Sequence, residues 1–396
     1  MSRTNIIVLV LALVAISIAI LLIERRKPVP TAAGSAEIPL KNDSAITQIA
    51  GDQGKSQREM AAQIQAIVEK KAATYPRAKE IVNPSGFINA PDSLRIADLI
   101  GKKVVMVDFW TYSCINCQRT LPYLNQWYKK YRAAGLEIVS LHTPEFDFEK
   151  DHANVASAVK KYGIEYPVVQ DNDYATWSAY QNLYWPHKYL IDTDGFIVYD
   201  HIGEGGYEET EQKIQELLVE LHVRQGAKEA PAPAITTPAA AIDIAFDKVG
   251  SPETYFGSAR NEFLANGEPK KDGAQVLTLS GEVAPNVLAL GGTWSFSPEF
   301  AENKTVNARI VYRYHAKHVY FVASGGAGVE LEILRDGKPL GRAAGKDVRE
   351  VGGISRATVR ESRLYELIND PDGYNTHTLE ITVKQPGLKA FTFTFG

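Results

Sequence analysis

Residues 104–122, Val-Val-Met-Val-Asp-Phe-Trp-Thr-Tyr-Ser-Cys-Ile-Asn-Cys-Gln-Arg-Thr-Leu-Pro, restrict the fold more than any other part of this 396-residue chain. Val104, Val105, Met106 and Val107 form an uninterrupted apolar run, the pattern of a strand buried on both faces, and the run ends on a carboxylate, Asp108. Beyond it Leu121, Leu124, Tyr128 and Tyr131 recur at helical spacing. Where strand hands over to helix lie Cys114 and Cys117, the chain's two cysteines. Chance would set two cysteines three apart in a chain of this length roughly one time in two hundred, so the spacing is informative.

That position has chemical consequences. The thiolate is the species that attacks a disulfide, and the positive end of a helix stabilises it. Cys114 is expected to cap the first turn with its sulfur exposed, and Cys117, one turn on, to face inward. Cys114 then attacks, and Cys117 resolves the mixed disulfide. Burial would raise the pKa of Asp108, six residues before Cys114, and suit it to exchange a proton with Cys117.

Asp-Phe-Trp-x-x-x-Cys-x-x-Cys, followed by Pro122, resembles thioredoxin. The fuller Trp-Thr-Tyr-Ser-Cys-Ile-Asn-Cys-x-Arg-Thr-Leu-Pro-Tyr-Leu is similar, more narrowly, to the periplasmic domain of DipZ-type proteins within the TlpA-like branch. His142-Thr-Pro-Glu-Phe, Tyr166-Pro-Val-Val, Trp185-Pro-His-Lys-Tyr-Leu-Ile-Asp and Gly203-Glu-Gly-Gly-Tyr extend the likeness over residues 80–224. The resemblance implies a thiol–disulfide oxidoreductase whose redox centre is the Cys114–Cys117 pair, without further cofactor.

The chain order agrees. Strand 104–109, helix 114–134 stopped by Gly135, strand 136–142, helix 147–162 and strand 166–170 alternate. Helix 173–181, strands 187–192 and 196–201 about an Asp194-Gly195 turn, and helix 208–223 follow. This α/β pattern is that of a thioredoxin-like fold in which 147–170 is an added helix and strand, an insertion of the TlpA type. Pro122 is expected to kink its helix without ending it. Pro186 opens a strand after Trp185 and matches the cis-proline loop of the family, whose backbone pairs with an extended substrate segment. Trp110, Tyr112, Tyr184 and Trp185 are candidates for an apolar substrate groove. Glu145 and Glu204 lie in family-like loops and read as solvated carboxylates.

Residues 6–23 are apolar apart from Ser17, long enough to span a bilayer, and precede Glu24-Arg25-Arg26-Lys27. We read residues 5–23 as an uncleaved transmembrane signal anchor and 24–79 as a tether carrying an amphipathic helix over 56–74. The flanking basic residues favour a cytoplasmic C-terminus by the positive-inside rule; the family resemblance instead places the domains outside the cytoplasm.

Residues 225–241, rich in Pro and Ala, read as a linker. Beyond it Val329, Leu331 and Ile333 alternate with Glu330 and Glu332, as do Leu379, Ile381 and Val383 with their neighbours. Residues 242–396 are therefore expected to form an all-β, jelly-roll-like sandwich similar to carbohydrate-binding modules. Tyr255, Phe256 and Trp294 could stack on a glycan or protein ligand, with core packing the plainer reading.

A net charge of −4 without basic blocks argues against nucleic acid. His315 and His318 are the closest histidine pair, and a three-residue step along one strand would point them to opposite faces, so no metal site is expected. With two cysteines in all, the dithiol needs an outside redox partner: a membrane thiol donor of the CcdA/DsbD type for reduction of protein clients, or a DsbB-like oxidant for oxidation. A role in cytochrome c maturation fits the TlpA-like branch. A thiol peroxidase, suggested by Thr111-x-x-Cys114, and a surface-binding protein acting through the sandwich are the alternatives.

Overall fold

The computed structural model describes residues 57–226, 233–242 and 244–396. The expected anchor at 5–23 lies outside them. No helix among the described residues is long and apolar enough to cross a membrane.

Seven consecutive buried residues make β2 (Val104–Trp110) the centre of a six-stranded sheet. β3 (Leu136–His142) and β4 (Val168–Gln170) run parallel to it on one side. On the other side β5 (His187–Ile191) runs antiparallel to it, and β6 (Ile197–Ile202) pairs antiparallel with β5. A three-residue strand that the pattern did not reveal, β1 (Gly86–Ile88), edges β4. Alternation along β2 sends Val105, Val107 and Phe109 to one layer, where α2 (Ile96–Leu99) and α5 (Ala175–Ala179) pack. Met106, Asp108 and Trp110 face the opposite layer, formed by α3 (Ile115–Tyr131), α4 (His152–Lys161) and α6 (Tyr207–Arg224).

Helix α3 runs on through Pro122, and Gly135, in the left-handed region at φ 113°, ends the short 3-10 turn that follows. The expected helix over 147–162 is broken in two. Residues Asp147–Lys150 form a 3-10 turn, and the Asp151 carboxylate then caps α4 by accepting from the N–H of Ala153 and Asn154. Helix α1 (Gln57–Ala72) is anchored at its end: the Lys71 ammonium sits among Asp192, Asp194 and Glu220.

Residues beyond 250 are all-β, as the alternation requires. The strands join in one continuous thirteen-stranded sheet. The turning point is β9 (Leu288–Phe296). Its first half pairs with β11 (Ala308–Ala316), while its second half pairs with β8 (Gly273–Leu277) and β10 (Ala301–Asn303). Gly292, at φ +97°, stands where the partners change, a conformation that L side chains rarely adopt. The sheet thus curls onto its own core. Leu331 and Ile333 of β13 (Val329–Arg335) and Ile381 of β18 (Asn375–Val383) share that core with Phe321 of β12 (His318–Ser324) and Phe393 of β19 (Lys389–Phe395). Phe256 and Trp294 are inside it, as core packing predicts. His315 and His318 lie on two strands, not one; they bond Thr376 and face Glu366, respectively.

The two halves are not beads on a string. A separate apolar cluster joins Ile115, Phe146 and Phe148 to Tyr320, Val322, Leu364, Phe391, Tyr255 and Phe300 of the β module. The described part of the linker lies along α3, where Gln126 donates to the Thr236 carbonyl at 2.9 Å.

Candidate functional site

Cys114 is the N-cap residue of α3. Its sulfur accepts the Cys117 backbone N–H at 3.3 Å, so a donor and the helix end both face it. Cys114 is half-buried, Cys117 is 1% exposed, and both thiols are free. Burial, and then the neighbouring Cys114 sulfur, push the Cys117 thiol well up; Asp108 adds to this through its charge.

Asp108 lies fully buried on the same face of β2 as Met106. Ser140 donates to one of its oxygens at 3.3 Å, while the other has no hydrogen-bond partner. Burial raises its pKa to about 7, against the opposing pull of Lys188. Lys188 stands directly opposite Asp108 in the β2–β5 register, and burial lowers its pKa to about 8. Its ammonium donates to the Gly203 carbonyl at 3.0 Å and sits 5.9 Å from the Tyr207 ring. The motif reading gave Lys188 no role. A lysine inside the buried run His-Lys-Tyr-Leu-Ile should have signalled a partner, because a lone buried charge is prohibitively unfavourable.

The loop before Cys114 is held by Glu149, also missed. One fully buried carboxylate accepts from the Ser113 N–H (3.1 Å) and Oγ (2.6 Å), from the Glu145 N–H (2.7 Å) and from the Phe146 N–H (3.0 Å). Burial raises its pKa against those donors. The Tyr112 N–H donates to His142 Nε2 at 3.3 Å, and burial lowers the His142 pKa to about 3, which keeps it neutral and able to accept. Glu145 and Glu204, expected in solvent, are both ion-paired and nearly buried. Arg119 binds Glu204 through two nitrogens, at 2.5 and 2.8 Å, and Arg260 reaches Glu145 at 2.7 Å. Their partners come from distant segments, so spacing alone could not reveal them.

The Trp185–Pro186 peptide is cis, as the loop match implied, and Pro186 is buried. The four groove candidates separate. Tyr184 is 48% exposed and Trp185 half-buried, its indole donating to the Thr143 carbonyl at 3.0 Å. Trp110 and Tyr112 line no open groove: Trp110 is in the core edge-on to His142, and the β module covers Tyr112, whose hydroxyl donates to the Ser362 carbonyl at 3.1 Å. Tyr255 likewise is engaged within the protein: the Arg260 guanidinium covers one face of its ring at 3.6 Å, and its hydroxyl donates to Glu145 at 2.9 Å.

A helix-capping thiol with its mate one turn on, backed by a buried acid and flanked by a strand that a proline opens, defines a thioredoxin-like dithiol protein. Comparison with known proteins narrows this. Residues 78–200 match the AhpC/TSA family, and residues 251–396 match the family described as thioredoxin like C-terminal domain. The chain is 36% identical over 331 residues to protein DipZ of Mycobacterium bovis, covering 83% of this chain and 43% of that protein. It is 30% identical over 135 residues to the thiol-disulfide oxidoreductase ResA of Bacillus thuringiensis, covering 32% of this chain and 73% of that one. A solved thiol-disulfide isomerase from Corynebacterium glutamicum aligns with 37% of this chain and 97% of its own, at 21% identity and a TM-score of 0.32. The chain belongs to the thiol–disulfide oxidoreductases and is a homologue of DipZ, spanning less than half the length of the DipZ proteins it matches.

Proposed function

We propose that this chain reduces disulfides in protein clients through Cys114 and Cys117. The observation that carries the reading is the Cys114 sulfur at the N-cap of α3, accepting the Cys117 N–H, with Asp108 buried behind. The Cys114 thiolate attacks one sulfur of the client disulfide. That bond breaks, the Cys114–client bond forms, and the departing client thiolate takes a proton from solvent. Cys117, held as a thiol by burial, gives its proton to the ionised Asp108 carboxylate and attacks the Cys114 sulfur. The second client thiolate leaves, and Cys114 and Cys117 remain as a disulfide, two electrons having passed to the client. Lys188, opposite Asp108, favours its ionised form and so acts as a positioning residue for the proton.

The disulfide is then reduced by a membrane dithiol donor of the CcdA/DsbD type. The chain works outside the cytoplasm on its N-terminal anchor, in a pathway such as cytochrome c maturation. Support for this comes from the apolar run at residues 6–23 and from the TlpA-like resemblance. A reduction potential near −270 mV fits a reductant, and one near −120 mV would turn the reading toward oxidation. Trapping with Cys117→Ala in native membranes tests clients and donor together: covalent adducts through Cys114 are expected, and their absence would refute the exchange mechanism. A peroxidase would instead turn over peroxide with Cys117→Ser.

A second reading concerns the β module. Its outer face bears a cavity of about 540 Å³ over the paired strands β11 and β18, lined by Glu282, Arg309, Arg313, Asp336, His377 and Glu380. Polar and charged side chains lining such a pocket suit a glycan or a polar protein segment. A glycan array probed with the full chain tests this, and no retention on any glycan would leave the module with its interior role alone.

A further inference from the structure

We propose that the β module is a permanent wall of the active site, and that it confines the dithiol to disulfides on extended or loop segments while shutting out those set in the surface of a folded protein. The inference rests on the oxidoreductase reading above. Three positions around the dithiol are bolted to the module. The Tyr112 hydroxyl, two residues before Cys114, donates to the Ser362 carbonyl. Ile115, directly after Cys114, is only 4% exposed, and its cluster is built from Tyr320, Val322, Leu364 and Phe391 of the module with Phe146. Arg119, one turn on, holds its guanidinium 5.9 Å from the Tyr320 ring.

The wall is fixed at its far end too. Phe391 packs on Phe146 and Phe148 with ring centroids 5.0 and 4.8 Å apart, and Arg260 pairs with Glu145. Parting the two halves would expose these rings to water and take the Arg260 partner from the largely buried Glu145 carboxylate, which favours the closed contact.

Cys114 itself is only half-buried, and the loop that leads into Pro186 is exposed. Leu183 is 72% and Tyr184 48% exposed, beside Pro186. A single extended segment needs a lane about 5 Å wide, whereas a docked folded protein needs roughly 800 Å² of surface on each partner. The module's contacts at Tyr112, Ile115 and Arg119 take up surface next to Cys114 that the second would use. Ile115, Val322 and Leu364 are therefore specificity-determining residues that need not touch the reacting sulfurs.

The test uses the reduced full chain and one disulfide loop in two settings, as an unstructured peptide and grafted into the surface of a stable folded protein. The wild type is expected to reduce the peptide at least 100-fold faster. Leu364→Asp, which sets a charge between Ile115 and the module, should narrow that ratio at least tenfold by raising the folded-protein rate, with the peptide rate held within twofold. Leu364→Ala should move the ratio in the same direction by a smaller factor, and it decides the matter if the aspartate variant does not fold. Equal wild-type rates on the two substrates, or an unchanged ratio in a folded variant, would overturn the proposal. A wild type that reduces neither substrate would overturn the oxidoreductase reading and this inference with it.

Discussion

Asp108 and Lys188 face each other across two buried strands, and the pair sets how the second step of exchange depends on pH. The acid accepts the Cys117 proton only when ionised, so resolution of the mixed disulfide should accelerate as pH rises through about 7, where Asp108 titrates. Lys188 pulls that pKa down; without it the carboxyl is harder to ionise. Lys188→Met should therefore move the midpoint upward by at least about one pH unit, and Asp108→Asn should erase this limb of the profile. Single-turnover resolution measured between pH 5 and 9 checks both, and a midpoint that stays put in Lys188→Met would refute the assignment. Exposure gives a second expectation: a thiol reagent should label Cys114 in the native state and reach Cys117 only after unfolding, as peptide mapping would read. Asp108 was legible because it interrupts an apolar run at a fixed distance from the cysteines. Lys188 was not, because its meaning comes from the pairing of β2 with β5, which no local pattern states.

At the scale of elements, the 3-10 turn at Asp147–Lys150 does more than connect β3 to α4. Its Glu149 gathers four donors from residues 113, 145 and 146, and so ties the loop before the dithiol to the insertion after β3. Glu149→Ala would leave those donors buried and unpaired, at roughly 1–3 kcal/mol for each such group. A loss of at least about 3 kcal/mol in denaturant titration is expected, together with slower attack by Cys114. A loss under about 1 kcal/mol would show that water replaces the carboxylate. The insertion itself was readable from its helical and apolar periods. Its break into a 3-10 turn and α4 was less so, since Asp151 caps a helix whose start the apolar pattern alone placed five residues earlier.

For the whole molecule, the contact between the thioredoxin-like half and the β module governs stability as well as access. Apolar rings and the Arg260–Glu145 pair bury one half's surface against the other. Calorimetry of the chain should accordingly show one cooperative transition over residues 61–396, and Arg260→Ala should lower its midpoint by stranding the Glu145 carboxylate. Two separate transitions in the wild type would contradict an integral interface.

What the sequence determined on its own was whatever depends on neighbours along the chain. The apolar run of β2, the helical repeat after it, the cysteine spacing and the alternation near Leu331 and Leu379 prescribe each element and its buried side. The tertiary structure alone decided which distant groups meet: Lys188 on Asp108, Glu149 on Ser113, Arg119 on Glu204, and the β module on Ile115. The physical reason is that periodicity records which way a side chain points, whereas a partner's identity depends on register and on the packing of surfaces hundreds of residues apart.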